Sequence, residues 1–436
     1  MILIVIFVSW KLVFETVKIK IGYGSDKITI AGTGSMVPTF PKGVESTAMM
    51  MPYPNGVVVG GSRYFSYQIG RGDIVTVEND EIRALSLSMY GNPSGWIKRI
   101  IGMPGDQIEL RQGNVYLNDS PIKEPYTKAA QSSFGESALG ECKKYVVPDN
   151  SVFVMGDNRK GSGDSREIGS IEISAINHII PFKMQIGLLD SNFRDTTNDF
   201  DELSKIVLDK AKYLELLNAK RKEIGIKELK YQTKLESSAK LRALNILKYD
   251  DMSFEATRSG YTMAKAMRDA NYSNIMYGEA PTHGYFEAEE LIENQFEFPE
   301  SKKFLLDKTF QEVGIGIVEG EINGCPTQMI VQHFAGYVPP NYKKEDIASW
   351  RESQKNIESV QPSWERLTTY GDYYQKNKID VDRINEVIKE RLRNIRQIVA
   401  KMEANQWLSE EEKGMITRDK VLFEEQQKLA NQLNGK

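Results

Sequence analysis

The sequence predicts a multidomain protein in which a mostly-β part, an α+β part and a helical tail follow one another along 436 residues. Three observations lead to this fold class. Short β-branched runs separated by Gly, Pro and Asn-Asp turn signals fill residues 28–182. Helix-period and strand-like runs share residues 206–337, and a charged segment with helical periodicity occupies residues 338–436. A chain of this length is expected to form two or three domains.

Composition limits the classes of partner. The 56 basic and 60 acidic residues give a net charge of -4, so there is no overall electrostatic reason to expect nucleic acid as a partner. Cys142 and Cys325 fall in different predicted domains, so a disulfide between them is allowed but not implied. No glycine loop of the kind that cradles phosphate is found, and we expect no cofactor.

Residues 1–18 are predicted to be a membrane anchor. Their apolar run is interrupted by Lys11 and Glu15, which makes it marginal against the roughly 17–25 apolar residues of a bilayer span. A buried N-terminal strand or helix is the alternative, whereas a cleavable signal peptide is disfavoured because no A-x-A-like site follows. The positive-inside rule places the lysines after this run in the cytoplasm; they are Lys18, Lys20 and Lys27.

The mostly-β part has four clear predicted strands, each a short run of β-branched or aromatic residues. They are residues 74–77, 106–110, 115–117 and 152–155. Asn114 and the Asn118-Asp119 pair mark turns between them. Residues 183–205 are polar and acidic in their second half, and they are predicted to be a linker to the α+β part.

Ser35 and Lys98 are the candidate catalytic pair. A serine hydroxyl is a poor nucleophile until a base takes its proton, and the chain has only three histidines, so lysine must be considered as the base. Holding a lysine neutral at pH 7 costs about 4 to 5 kcal/mol, which burial can supply. Taken alone, Lys98 would be an ordinary surface lysine. Its neighbours favour a desolvated amine instead; they are Trp96, Ile97, Ile100 and Ile101.

Four segments around this pair occur in a characteristic order. They are Gly34-Ser35-Met36-Val37-Pro38-Thr39, Arg71-Gly72-Asp73-Ile74-Val75, Lys98 to Asp106, and Gly156-Asp157-Asn158-Arg159 leading to Ser162-Gly163-Asp164-Ser165-Arg166. Each segment alone could be a simple turn. Together they resemble the type I signal peptidases, which are Ser/Lys serine proteases, and the resemblance covers about residues 19–182.

The resemblance implies a role for each matching residue. Neutral Lys98 would accept the proton of Ser35, and the Ser35 amide and the Thr33 hydroxyl would form the oxyanion hole. Ser162 would orient the lysine amine. Substrate pockets can be placed only near Met36. An ion pair that braces the site is implied for two further residues, Asp164 and Arg166.

The same resemblance implies a membrane-bound serine endopeptidase that removes signal peptides from exported preproteins. Small side chains would be selected at the first and third residues before the cut, in an extended substrate added to a sheet edge. The resemblance implies a single-pass protein with an extracytoplasmic catalytic domain, which conflicts with the positive-inside reading of the lysines; the catalytic motifs outweigh it. Membrane lipid is an expected partner. The apolar segment 44–61, with Met49 to Met51, could touch lipid or substrate, or form a core cluster.

The α+β part resembles the CAP superfamily of cysteine-rich secretory and pathogenesis-related proteins over about residues 206–337. The segments that carry the resemblance are residues 217–221, 235–239, 278–280, 288–290 and 310–316. It implies an αβα sandwich with Glu279 and Glu290 at the acidic positions of a cleft. Phe254 and Ser301 stand where histidines would align, so we expect no metal site. His283 is expected in an exposed loop.

The tail is predicted to contain an amphipathic helix within a helical hairpin or short coiled coil. Its apolar positions recur every three or four residues: Ile384, Ile388, Leu392, Ile395, Val399 and Met402. Two other functions compete with the peptidase interpretation. One is a self-cleaving Ser/Lys repressor relative, and the other is a non-catalytic extracytoplasmic binding or scaffold protein that uses the CAP-like domain.

Overall fold

The computed structural model describes residue 10 and residues 13–200 and 207–435. It divides into two compact units between Gly336 and Tyr337. Within the first unit we distinguish a first lobe, residues 13–200, and a second lobe, residues 207–336. The second unit is the tail.

The first lobe is built on sheets. Its strands are β1 Asp26–Ile30, β2 Ser46–Pro52, β3 Val57–Val59, β4 Ser62–Tyr64, β5 Ile74–Val77, β6 Trp96–Gly102, β7 Gln107–Arg111, β8 Asn114–Leu117, β9 Ser120–Pro121, β10 Lys144–Val146, β11 Ser151–Met155, β12 Ile171–Glu172 and β13 Ile176–Ile180. One sheet has the order β1-β2-β13-β5-β6-β11-β12, a second has the order β10-β7-β8-β9, and β3 pairs with β4. The four strands predicted for this part are present.

The central strands of the large sheet are covered on both faces, which explains their continuous apolar runs. Every residue of β11 is buried. Short helices lie between strands: Asp80–Tyr90, Ser165–Ile168 and Phe182–Gln185, with 3₁₀ turns at Arg159–Gly161, Ile173–Ala175 and Asp190–Asn192. The Asp80–Tyr90 helix connects β5 to β6; the Asn79 side chain caps its first turn, and Gly91 in the left-handed region ends it.

The methionine run in β2 was expected either to touch lipid or substrate or to form a core cluster, and its residues are divided between the surface and the core. Met50 and Met51 are buried, whereas Met49 is 60% exposed. Because neighbouring side chains of a strand point to opposite faces, Met50 and Met51 enter two different core clusters. Of the three methionines, only Met49 is exposed enough to touch lipid or substrate.

Part of the predicted linker is built into the first lobe. Gln185 is completely buried, and its amide donates to the carbonyls of Gly72 and Ile180. The segment therefore differs from the expected linker, because the Gln185 side chain satisfies backbone groups near the ends of β5 and β13 instead of facing water. Residues 201–206 of the predicted linker lie outside the described residues.

Most of the predicted anchor, residues 1–18, also lies outside the described residues. Residues 13–20 are helical. Within residues 13–200 and 207–435, none of the helices combines the length and the apolar composition that a membrane crossing requires.

The second lobe has three layers. Its strands are β14 Lys230–Tyr231, β15 Met276–His283, β16 Glu312–Ile322 and β17 Cys325–Gly336, in the sheet order β14-β16-β17-β15. Its helices are Lys210–Glu223, Thr233–Tyr249, Met263–Asp269, Ala288–Glu297 and Pro299–Leu305. In β17, Ile330 and Phe334 pack with the first and fourth of these helices, while Met329 and Val331 pack with the second. Helices therefore cover both faces of the sheet.

Two glycines of β16 allow the Thr233–Tyr249 helix to lie close to the sheet. A Cβ on Gly314 would lie 2.1 Å from the backbone nitrogen of Glu236, and one on Gly316 would lie 2.3 Å from that of Lys240. Any larger residue would push the helix away. The Gly-Ile-Gly spacing of the strand is thus a packing requirement.

The tail consists of helices Lys344–Arg366, Gly371–Glu403 and Glu410–Leu433. The predicted apolar stripe on the middle helix is buried at all six positions. It packs against the other two helices through Ile357 and Leu429. The expected amphipathic helix is confirmed, and three helices form where a hairpin or coiled coil was expected.

A disulfide joins Cys142 of the first lobe to Cys325 of the second. The sequence allowed this bridge without implying it. Neither cysteine predicts the pairing alone, because 183 positions separate them and only the docking of the two lobes brings them together.

Candidate active site

Ser35 lies in the loop that follows β1, at the edge of the large sheet. Its backbone is held from another loop: the Asn158 amide donates to the Ser35 carbonyl at 3.0 Å. The Asn158 side chain donates to the Gly34 carbonyl at 3.1 Å. Gly34 has φ +88°, a conformation that suits glycine and turns the chain sharply before the serine.

Lys98 comes from the buried strand β6. Its Nζ donates to Ser35 Oγ at 3.0 Å, and the two residues are only 4% and 8% exposed. The amine also lies 5.4 Å from the centre of the Trp96 ring. Burial lowers the pKa of Lys98 to about 8; Arg166 lowers it too, while Asp164 and Asp157 act in the opposite direction. The structure thus brings the two predicted residues into contact in a setting where the lysine can be neutral.

Thr33 and Met36, on either side of the serine, have different surroundings. The Thr33 hydroxyl lies 3.5 Å from Ser35 Oγ, at the limit of a hydrogen bond. Met36, the residue predicted to contact substrate, is only 2% exposed and packs in the core with Ile30 and Phe40. Its apolar side chain therefore anchors the Ser35 loop to the core and does not line the cleft.

Asp164 and Arg166 form the predicted ion pair. Both side chains are fully buried, and two hydrogen bonds of 2.8 and 2.9 Å join them. Burial disfavours the charged carboxylate, yet the Arg166 charge and hydrogen bonds, with the Gly156 amide, keep the pKa of Asp164 below its usual value. Arg166 also donates to the Ser162 carbonyl at 3.1 Å, so the pair fixes the loop carrying Ser162.

The Ser162 hydroxyl itself has a different partner from the predicted one. It donates to the Gly163 carbonyl at 3.3 Å, and among the described residues no hydrogen bond links it to Lys98. It lies over Gly156, where a Cβ would be 2.3 Å from Ser162 Oγ and 2.4 Å from the Ser35 carbonyl oxygen. Gly156 therefore lets the three segments meet. A role for Ser162 in orienting the amine stays a prediction.

Sequence reasoning missed the buried partners of Arg99. Its guanidinium makes two hydrogen bonds of 2.8 Å to Asp157, and both side chains have no exposed surface. It stacks 3.9 Å from the centre of the Tyr126 ring. Arg99 follows Lys98 on the same strand and faces the opposite side of the sheet, so one strand supplies both the buried amine and this buried ion pair. The Gly156–Arg159 segment was already singled out in the sequence. It contains Asp157, the partner of Arg99, as well as Asn158.

A cleft of ≈ 340 Å³ opens beside the pair. Ser35 and Lys98 line it together with Thr33. The other walls come mainly from β1, β5, β6 and β13 and from the end of the Asp80–Tyr90 helix. Ile28, Ile30 and Trp96 make much of the lining apolar. The arrangement thus places a serine hydroxyl and a buried amine in contact at the wall of a partly apolar cleft.

The two acidic residues predicted for the second cleft are separated. Glu279 lines a cavity of ≈ 510 Å³ with Phe254 and Ser301, as the alignment of these three positions implied. It is already engaged by Arg242 and by His333, whose Nε2 lies 3.3 Å from its carboxylate. Glu290 instead faces the first lobe and accepts a hydrogen bond from Ser132.

His283 and Glu290 illustrate how the lobes meet. His283 Nδ1 lies 3.7 Å from a carboxylate oxygen of Glu141 in the first lobe, so it is not in a free loop as expected. Burial lowers the pKa of His283 and raises that of Glu290 to about 7. Within the described residues, no group of three or more His, Cys, Asp or Glu side chains is placed to hold a metal ion.

Comparison with known proteins identifies the first lobe. The family model described as signal peptidase, peptidase S26, matches residues 1–182. Signal peptidase I S of Bacillus subtilis strain 168 is 36% identical over 104 residues, 23% of this chain and 50% of that protein. Signal peptidase I of Bacillus caldolyticus is 30% identical over 152 residues, 32% of this chain and 84% of that protein. This chain thus spans half the length of the first relative and most of the second.

These matches define the class of protein to which the first lobe belongs, the bacterial signal peptidases. The chain belongs to the signal peptidase I family, peptidase S26. A solved extracellular protein of Bacillus anthracis containing an SCP domain matches 60% of the chain and 94% of its own length, at 10% identity and a TM-score of 0.26. That likeness is too slight to support an argument about the second lobe.

Proposed function

We propose that this protein is a serine endopeptidase that removes signal peptides from exported preproteins. The observation that carries the proposal is the 3.0 Å contact between the buried Lys98 amine and Ser35 Oγ. Family membership supports the substrate class. The predicted membrane anchor and extracytoplasmic location belong to the same proposal.

In this mechanism, neutral Lys98 accepts the proton of Ser35 as the serine oxygen attacks the scissile carbonyl. The Ser35 amide and the Thr33 hydroxyl stabilise the developing oxyanion. Lys98 then returns the proton to the leaving amine, which frees the new N-terminus and leaves an acyl-enzyme. A water molecule that gives its proton to Lys98 hydrolyses the ester and restores Ser35.

The cleft favours an extended substrate. β1 is an edge strand of the large sheet and lines the cleft through Ile28 and Ile30, so its unpaired backbone can add a substrate strand. Residues selected at the first and third positions before the cut point to the same face of such a strand. Small side chains would fit there above the apolar lining.

The direct test is cleavage of a preprotein with alanine at both small-residue positions. We expect the wild-type protein to release the signal peptide and Ser35→Ala to show no cleavage, because the substitution removes the hydroxyl that contacts the Lys98 amine. Ser174→Ala, which changes an exposed serine far along the chain, is the matched control. Equal cleavage by all three proteins would refute the proposal.

The pH dependence follows from the lowered pKa of Lys98. The folded-state pKa is about 8, so the active neutral amine is lost as pH falls through that value. We expect kcat/KM to fall about tenfold for each pH unit below 8 and to level off above it. A profile measured from pH 6 to pH 10 checks this, and a midpoint near 6.5 would indicate histidine as the base.

For the second lobe we propose an accessory binding domain of CAP type. Support comes from its three layers and from the cavity that Glu279 shares with Phe254 and Ser301. Arg242 and His333 occupy the Glu279 carboxylate, which favours binding over chemistry in this cavity. The domain would accompany the peptidase and would not replace it.

A further inference from the structure

The second lobe contacts the loop that carries Ser35. Lys42, in the same loop, lies along Gly34: a Cβ on Gly34 would be only 2.7 Å from Lys42 Cδ. The far end of Lys42 forms an ion pair with Glu297 of the second lobe. A group in one lobe is thus connected through a single side chain to the backbone next to the nucleophile.

The second lobe also holds the turn that anchors Ser35 from the other side. Asn158, which binds the Ser35 carbonyl, is followed by the Arg159–Gly161 turn. In that turn the Lys160 carbonyl accepts a hydrogen bond of 3.3 Å from Asn294, and Lys160 Nζ donates to the Gly284 carbonyl at 2.7 Å. Asn294 and Gly284 belong to the second lobe.

Lys160 is fixed by more than these hydrogen bonds. Its amine lies 4.3 Å from the centre of the Phe134 ring and 4.2 Å from that of Tyr285, one ring from each lobe. Burial lowers its pKa to about 8, against the opposing charges of Glu290 and Glu141. A side chain held between two rings defines the position of its own backbone, and with it that of Asn158.

All the helix contacts come from one face of Ala288–Glu297. Positions 290, 293, 294 and 297 recur every three or four residues and therefore share that face. Besides the contacts of Asn294 and Glu297, Glu293 pairs with Lys128, and Glu290 accepts from Ser132. A mainly acidic helix face thus contacts lysines of the first lobe. In addition, the disulfide links the two lobes covalently.

We propose that Asn294, Glu297 and Lys160 are positioning residues for the catalytic pair. Through them the Ala288–Glu297 helix sets the place of Ser35 relative to Lys98, so the first lobe is fully active only when the second lobe is docked. The proposal rests on the proposed peptidase function. It gives the second lobe a role that needs no ligand in its cavity.

The test uses the full chain with the double substitution Asn294→Ala and Glu297→Gln, which alters neither loop of the first lobe. We expect kcat for the alanine-containing preprotein to fall about tenfold, because small displacements of a nucleophile are costly. KM should stay within about twofold, since the cleft residues are unchanged. Amide hydrogen exchange in residues 31–43 should become faster, which is a readout independent of activity.

Glu289→Gln is the matched control, because Glu289 is an exposed acid in the first turn of the same helix and is not one of the residues shown above to contact the first lobe. It should match wild type in both measurements. Lys160→Met should lower kcat and speed exchange as the double variant does. Lys160→Arg should keep most of the wild-type kcat, because it keeps a cation between the rings. Unchanged exchange and kcat in the double variant would overturn the proposal, as would equal changes in the control. Faster exchange in the double variant, together with a wild-type protein that does not cleave the preprotein, would retain the positioning role and reject the peptidase function.

Discussion

Replacing Lys98 with methionine is expected to lower kcat/KM by at least about 10³-fold while leaving the fold intact, because the base for Ser35 is removed. Methionine fills a similar buried volume without a charge. The lowered pKa of Lys98 shows that burial penalises its protonated form, so the variant should unfold at the same or a higher temperature at pH 7. Cleavage of the alanine-containing preprotein and calorimetry provide the two measurements.

Lys98→Arg is the informative companion. Its guanidinium stays charged at every accessible pH and cannot act as the base, so it should be as inactive as Lys98→Met. Unlike methionine, it should also be less stable than wild type because its charge cannot be lost on burial. If Lys98→Met keeps more than about a tenth of wild-type activity, Lys98 is not the general base.

The second large effect concerns the stability of the first lobe. Asp164→Ala should reduce the free energy of unfolding by about 3 to 5 kcal/mol, because Arg166 would remain charged and fully buried without its partner. The Gly156 amide would also lose its acceptor. Urea unfolding at pH 7, followed by circular dichroism, measures the change.

Lys144→Ala is the control for this substitution. Lys144 pairs with Asp119 at 2.6 Å, but both side chains are about half exposed or more, and we expect a loss of less than about 1 kcal/mol. The contribution of Asp164 should also disappear as pH falls, since its folded pKa is depressed and protonation removes the ion pair. If both variants lost the same free energy of unfolding, the buried Asp164–Arg166 pair would contribute no more to stability than an exposed pair.

The elements with strong local patterns were predictable. Strand β5 follows from its β-branched run, and the middle helix of the tail follows from the spacing of Ile384, Ile388 and Leu392. The Ser35–Lys98 pair was predictable because the motif residues lie in order along the chain. Their distance and burial were not, because both depend on the pairing of strands that are far apart in sequence.

Features that depend on docking could not be predicted. Met36 adjoins the nucleophile in sequence, yet packing turns it into the core. Glu290 matches a cleft position by sequence, but the neighbouring lobe supplies Ser132 as its partner. The bridge from Cys142 to Cys325 has the same origin. The partners of Glu290 and Cys142 lie 158 and 183 positions away, in the other lobe. The core cluster that holds Met36 also includes Met50 and Ile74, which come from two other strands.

The bridge also determines what a proteolytic cut can do to this molecule. Cys142 and Cys325 close a covalent ring that includes residues 201–206 and the whole connection between the lobes. One break within that ring opens it without releasing either piece, so the lobes remain one molecule. Separation requires a cut and a reductant together. In an oxidising medium a nick in the connection therefore leaves the lobes covalently joined, whereas in a reducing medium the same nick leaves them held together only by their non-covalent contacts.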